Sequence, residues 1–301
     1  MLNNNKLNMK SKPKILVSFS AGETSAYMAY FLKKNYSDKY EFIYVFANTG
    51  EENEETLIFA KKCDEHFNLN LVWVEPKINM NGSTKHTVVN FKTAERSGEN
   101  GNFEKMIQRF GIPNMQNAIC TRELKERPIT SYARSIGWKH RDYHTAIGIR
   151  CDEIDRMSVR KEINRLIYPF IEFSEINKPM VNRFWNYMPF RLKLKGYQGN
   201  CKWCWKKSFR KLATIIKENV TKFDFPRKME SKYSEHLAGL SADRIKFPIR
   251  FFREFKTVED IVKISLVPKF KPATDDSTIY HYQSKLDFEF ECIGSCEPFN
   301  N

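Results

Sequence analysis

The chain has 301 residues, 41% of them hydrophobic and 14% aromatic, which excludes global disorder and leaves room for one large domain or a core with an appended lobe. Seven cysteines, an odd number spread along a long chain, exclude a small disulfide-stapled scaffold, and a polar opening without a long apolar run predicts a soluble cytoplasmic protein without a membrane span. The formal net charge is +14, and residues 178–230 hold 14 Lys and Arg against three acids, a concentration that suits a polyanionic substrate or partner.

In chain order, Lys14 to Ser20 reads as a first strand, Ser25 to Lys34 as a helix, and Phe42 to Ala47 as a second buried strand. Glu54 to Phe67 follows as a helix whose leading acids suit its positive end, and Leu69 to Val74 is a third strand. Short apolar strands separated by helices predict βαβ units on a parallel sheet, an α/β fold. Pro76 to Asn114 is glycine-containing and irregular, the pattern of a long functional loop. Glu123 to Ile136 reads as a helix with one proline, Tyr143 to Ile149 as a fourth strand, and Leu166 to Phe170 as a short fifth. After Pro179 the texture changes to Trp, Lys, Arg and Cys, with a helix near Ser208 to Lys217. The expected division is a core over residues 1–175 and a basic, Cys-containing lobe over 176–301.

The loop after the first strand carries the clearest chemistry. In Ser20-Ala21-Gly22-Glu23-Thr24-Ser25, with Ser18 just ahead, small residues permit a tight turn that aims backbone N–H groups into one space. Hydroxyls and the N-terminus of the following helix add to this phosphate cradle. Neither the GxxxxGK[ST] nor the G-x-G-x-x-G spacing is present. Asn48-Thr49-Gly50 closes the second strand, where an open α/β sheet places ligands. Gly148 allows close backbone approach after the fourth strand, and Arg150 offers a two-pronged donor to a phosphate. Asp152, Glu153 and Asp155 beside it are candidate ion-pair partners or Mg²⁺ ligands. Arg122 and Lys125 lie three apart, on one face if their segment is α-helical, and together suit a phosphate or sulfate.

Taken together, VSFSAGETSAYM (17–28), FANTGEENEETL (46–57), FKTAERSGENGNFEKMI (91–107), CTRELKERPI (120–129), AIGIRCDEIDR (146–156) and GNCKWCWKKS (199–208) resemble the PP-loop superfamily. The resemblance is to its phosphoadenosine phosphosulfate (PAPS) reductase branch, as found in phage and mobile-element proteins. It implies a Rossmann-like parallel core of the adenine nucleotide alpha hydrolase kind, with ATP or PAPS at the strand ends. Against the family loop S-G-G-x-D-S, Ser20, Gly22 and Ser25 match, Ala21 replaces a glycine and Thr24 stands where the aspartate would be. That loss of a carboxylate weakens Mg²⁺ binding at this position. The resemblance also places Asn48, Thr49, Gly50, Gly148 and Arg150 beside the nucleotide.

Cys201-Lys202-Trp203-Cys204 is a C-x-x-C that serves as half a metal site or as a redox dithiol. Cys120 and either Cys296 or Cys292 would complete a four-thiolate set for [4Fe–4S] or Zn²⁺. In related sulfur-transfer members, a cysteine before a T-R-x-L-K segment and a later C-x-x-C hold an iron–sulfur cluster, and Cys120, Cys201 and Cys204 match them. True PAPS reductases carry a C-terminal E-C-G-L-H nucleophile motif, which Glu291-Cys292-Ile293-Gly294-Ser295-Cys296 breaks.

Three functions follow. The first is ATP cleavage between the α and β phosphates, adenylating an acceptor for sulfur or nitrogen transfer, with Ser20, Ser25, Arg122, Lys125 and Arg150 offsetting charge. The second is PAPS or adenylylsulfate reduction by Cys292 or Cys296 with a thiol reductant. The third is non-enzymatic nucleotide or nucleic-acid (tRNA or DNA) binding, with Trp185, Tyr197, Trp203 and Trp205 among the lobe's cations.

Overall fold

A computed structural model describes residues 12–236, 238 and 248–280. Alternation of apolar strands and amphipathic helices sets the sheet. β1 (Lys14–Ser18), β2 (Glu41–Ala47) and β3 (Val72–Lys77) are joined by α1 (Glu23–Tyr36) and α2 (Glu54–Phe67) and pair in parallel. β4 (Lys85–Val89) folds back antiparallel on β3 at one edge. α3 (Asn102–Phe110) follows. α4 (Ile119–Thr121) runs through a π-helical turn, Arg122–Glu126, into α5 (Arg127–Ser135), where Pro128, without an N–H, stands at the start. β5 (Tyr143–Ala146) then pairs with the opposite side of β1, and β6 (Leu166–Ile167) with β5. The order β4-β3-β2-β1-β5-β6 reverses direction beside β1. In such a sheet the loops after β1 and β5 diverge and leave a crevice at the strands' carboxyl ends.

The remainder is helical: α6 (Pro169–Glu172), α7 (Lys178–Asn186), α8 (Phe209–Glu218), α9 (Asp224–Tyr233) and α10 (Val258–Ser265). Packing crosses residue 175 in both directions. Val181 and Trp185 of α7 join the core formed by β1, β2, α1 and α2. Phe103, Met106 and Ile107 of α3, with Ile119 and Leu124, join Trp203, Trp205, Leu212, Phe223 and Phe251 in a second core. Each large apolar side chain buried this way contributes about 1.5–3 kcal/mol, so neither core is complete without the other half of the chain. Among the described residues no helix is long and apolar enough to cross a membrane.

Two elements lie inside the segment expected to be an irregular loop. β4 is short and largely exposed, with little apolar alternation to reveal it. α3 has Phe103, Met106, Ile107 and Phe110 at helical spacing, bounded by Gly101 before it and by Gly111 at φ 84° after it. These glycines are helix punctuation rather than loop composition.

One carboxylate ties the second core together. Glu230 of α9 is buried and accepts hydrogen bonds from the backbone N–H groups of Phe251 at 3.3 Å and Val258 at 3.1 Å. Burial pushes its carboxyl up to about 7, the two N–H donors only partly opposing. The folded protein therefore holds a proton there that the unfolded chain releases at ordinary carboxylate pH. Its contribution to stability falls as pH rises through roughly 4.5 to 7, by on the order of 3 kcal/mol. Glu230→Gln, which has no proton to lose, should flatten that part of the pH dependence. Thermal melts of both proteins across the window should show the wild type losing stability faster towards neutrality.

Candidate active site at the strand ends

β1 ends at Ser18, and the chain turns at Ala21 into α1. Ala21 is fully buried at φ 59°, a left-handed conformation that costs a residue with a Cβ about 1 kcal/mol. This is the position at which the family loop has glycine. Ser25 fixes the turn: its Oγ accepts from Ser20 N at 3.1 Å and from Ser20 Oγ at 2.9 Å, and donates to Gly22 O at 3.1 Å. No side chain caps the first turn of α1, so its N–H groups stay directed at the space before the helix. Gly148 packs on this turn so closely that a Cβ there would stand 3.0 Å from Ser25 Cα.

Long-range contacts hold the loop from outside. Asn200 Nδ2 donates to Ser20 O at 2.6 Å, Trp185 Nε1 donates to Glu23 O at 2.9 Å, and Arg191 grips the Glu23 carboxylate at 2.7 and 3.0 Å. Arg150 is buried, donates to Thr24 Oγ1 at 3.3 Å and pairs with Asp152 and Glu153 at 3.1 and 3.2 Å. Burial opposes its charge, but those two carboxylates outweigh burial and hold its proton more tightly than usual.

The cavity in front of this loop measures about 130 Å³ and is lined by Ser20, Gly22, Glu23, Thr24, Ser25, Gly148 and Arg150 on one side. On the other stand Lys178, Lys195, Lys207 and Lys211, with Arg156 beside Glu153, so six cations face three carboxylates, the third being Asp276. Lys207 and Lys211 are themselves buried. An uncapped helix start, a tight small-residue turn and an excess of cations together make an anion site, suited to a chain of phosphates.

Residues 14–153 match the phosphoadenosine phosphosulfate reductase domain. Over 208 residues the chain is 31% identical to the uncharacterized nin region protein ORF290 of Escherichia phage lambda, spanning 67% of this chain and 69% of that protein. The chain belongs to the phosphoadenosine phosphosulfate reductase family. Its mostly parallel α/β sheet and its loop after β1 are those expected of an adenine-nucleotide-binding PP-loop protein.

Several residues expected beside the nucleotide do not line this cavity. Asn48, Thr49 and Gly50 do not line the cavity but sit in a buried network: Asn48 bonds Glu75 at 2.6 Å, and Thr49 N and Oγ1 bond Glu52 at 2.8 Å. Ser18 and Ala21 are fully buried behind the turn. Arg122 and Lys125 do not line it either, and in the π turn where they fall, residues three apart no longer share a face. Arg122 is drawn to Glu123 at 2.9 Å, while Lys125 faces the surroundings of Cys201.

Among the described residues the expected metal set is not assembled. Cys120 Sγ accepts a hydrogen bond from Trp205 Nε1 at 3.5 Å, and burial pushes the Cys201 thiol well up, with Cys204 adding to the effect. Among the described residues no group of three or more His, Cys, Asp or Glu is arranged to hold a metal ion, so neither [4Fe–4S], Zn²⁺ nor Mg²⁺ has a fitting donor set there. Cys292 and Cys296 lie outside the described residues. The aromatics expected on a nucleic-acid surface are core: Trp185, Tyr197, Trp203 and Trp205 are all at most 5% exposed.

No motif or spacing marks Asn200, Arg191, Lys178 or Lys211 as site residues, although the charge concentrated in residues 178–230 points to the cations as a group. A Cβ at position 148 would meet the backbone of α1, which cannot yield locally. Gly148→Ala should cost about 1–3 kcal/mol of stability and displace the first turn of α1. Denaturant unfolding and nucleotide titration of this variant should show both effects.

Proposed function

We propose that the chain binds ATP with its phosphates on Ser20–Ser25 and cleaves it between the α and β phosphates, adenylating an acceptor for sulfur or nitrogen transfer. The observation that carries this reading is the convergence of the uncapped α1 start with Arg150, Lys207 and Lys211 on one cavity. The acceptor's nucleophilic atom forms a bond to the α-phosphorus as the bond to the bridging oxygen breaks, and pyrophosphate leaves. The backbone N–H groups of the loop and the Ser20 and Ser25 hydroxyls hold the departing phosphates. Arg150, Lys207 and Lys211 offset the charge that grows on them, so catalysis is largely positioning and electrostatics.

Gly22 gives the direct test. A Cβ there meets nothing closer than Asn200 Nδ2 at 3.6 Å, so the fold tolerates a side chain, but a large one fills the phosphate space. Gly22→Leu should keep its melting temperature and lose ATP affinity by about a hundredfold or more in calorimetry. Pyrophosphate release from ATP with the acceptor class present supports adenylation; sulfite release from PAPS with a thiol reductant would overturn it.

Asp276 bears on the same site. Asp276 and Ser277 line the cavity, and their segment is tied there: Gly196 N donates to Asp275 Oδ1 at 2.8 Å, Asn182 Nδ2 donates to Asp276 O at 3.3 Å, and Arg191 donates to Ser277 O. The Asp276 carboxylate reaches Arg150 electrostatically and stands where anionic phosphates would enter. A nucleotide needs roughly 300 Å³ or more, so this wall gives way when one binds. Asp276→Asn should tighten ATP binding by about tenfold, because one like charge leaves the site. Weaker binding in that variant would instead make Asp276 part of the binding surface.

A further inference from the structure

A second depression, about 740 Å³, runs beside α5 and shares no lining residue with the strand-end cavity. Its charged lining is one-sided: Lys85, Arg122, Arg127 and Arg134, with His140, against Glu126. Most of the rest is hydroxyl or amide, and no Phe, Tyr or Trp lines it. That surface suits anionic oxygens rather than stacked rings or an apolar chain.

The floor of the groove is built. Glu123, 1% exposed, accepts from Arg122 Nε at 2.9 Å, lies 2.8 Å from Arg127 Nε, and takes the Thr84 hydroxyl proton in a further hydrogen bond. One buried carboxylate thus anchors two guanidinium groups through their inner nitrogens, and their terminal nitrogens have no hydrogen-bond partner among the described residues. Lys85 and Arg134 are exposed and have no ion-pair or hydrogen-bond partner for their side chains among the described residues. Along the helix, Arg122, Arg127 and Arg134 set a row of positive charge about 18 Å long. A compact anion uses one such point; an extended polyanion uses the row.

We infer that the groove along α5 binds the phosphodiester backbone of a nucleic-acid strand, through Lys85, Arg122, Arg127 and Arg134. The binding is sequence-tolerant, since phosphate contacts position a strand without reading its bases. It goes beyond the nucleotide reading and uses a different surface, so the two fail separately.

The test is a fluorescence-anisotropy titration of the full chain with a short labelled single strand, DNA in one arm and RNA in the other, across salt concentration. Both should bind, with log affinity falling linearly with log salt by about 0.7 per phosphate contacted. Lys85→Ala/Arg134→Ala, which breaks no described contact, should lose about tenfold in affinity and flatten the salt slope by about one to two contacts. The single Arg134→Ala should move in the same direction, and melting curves check that both variants are folded. Lys193→Ala/Lys217→Ala on the basic lobe, and Gly22→Leu in the nucleotide cavity, should bind as the wild type does. Unchanged affinity in the folded groove variants, loss only in the lobe variant, or no binding to either strand at low salt would each overturn the inference. Binding of one strand type alone, with the groove dependence intact, would support it and identify the source.

Discussion

A buried carboxylate at the end of the second strand, Glu51, joins segments far apart in sequence. It accepts from Gly98 N at 2.7 Å and from Trp203 Nε1 at 2.8 Å, while its own carbonyl accepts from Lys202 N at 3.0 Å. Next to it, Glu52 bridges to Cys201, and Asn53 bonds the backbone of Gly199 and Asn200. Burying a carboxylate costs several kcal/mol unless donors surround it, and burial does hold this carboxyl above its ordinary range. The N–H donors and nearby Lys202 offset that cost. The result is a latch that fastens residues 199–203 over the carboxyl ends of the strands. Asn200 then reaches the Ser20 carbonyl, and Lys207 and Lys211 enter the cavity from the far side.

The latch explains where the chain's positive charge goes. Residues 178–230 carry most of the net charge, yet four of their lysines line the strand-end cavity, two of them buried. Lys207 Nζ donates to the Cys201 carbonyl at 2.8 Å, and an anionic ligand in the cavity would add the counter-charge that a carbonyl lacks. The tryptophans between them serve a different end: Trp203 packs against Phe103, Phe225 and Phe251 and holds α3 to the later helices. The charge and the aromatics that lie together in sequence therefore part in space, one set turned to the ligand and the other to the core.

The strands and first two helices were legible because each is a short apolar run or an amphipathic helix with clear ends; Glu54–Phe67 was read to the residue. The loop was legible too, since Ser20, Gly22 and Ser25 sit directly after β1. What was not legible depends on contacts between distant residues. Nothing near Asn200 or Arg191 in sequence shows that they clamp the loop after β1. Arg122 and Lys125 form a pair only at α-helical spacing, and the π turn, which no local composition announces, separates them. Asn48, Thr49 and Gly50 were correctly placed at a strand end, but the buried carboxylates Glu52 and Glu75 take up their polar groups. No local sequence signal shows that the Trp205 indole N–H goes to Cys120, one of the three cysteines expected to meet.

A crystal structure of the chain with α,β-methylene ATP, which keeps the phosphates but resists cleavage, would show where the phosphates bind. Density for the triphosphate should lie against the N–H groups of Ser20–Ser25, contacted by Lys207 and Lys211, with Asp276 and Ser277 displaced from the cavity wall. A triphosphate seated elsewhere, in the groove along α5 for example, or a loop that stays closed against ligand, would contradict the proposed ATP site.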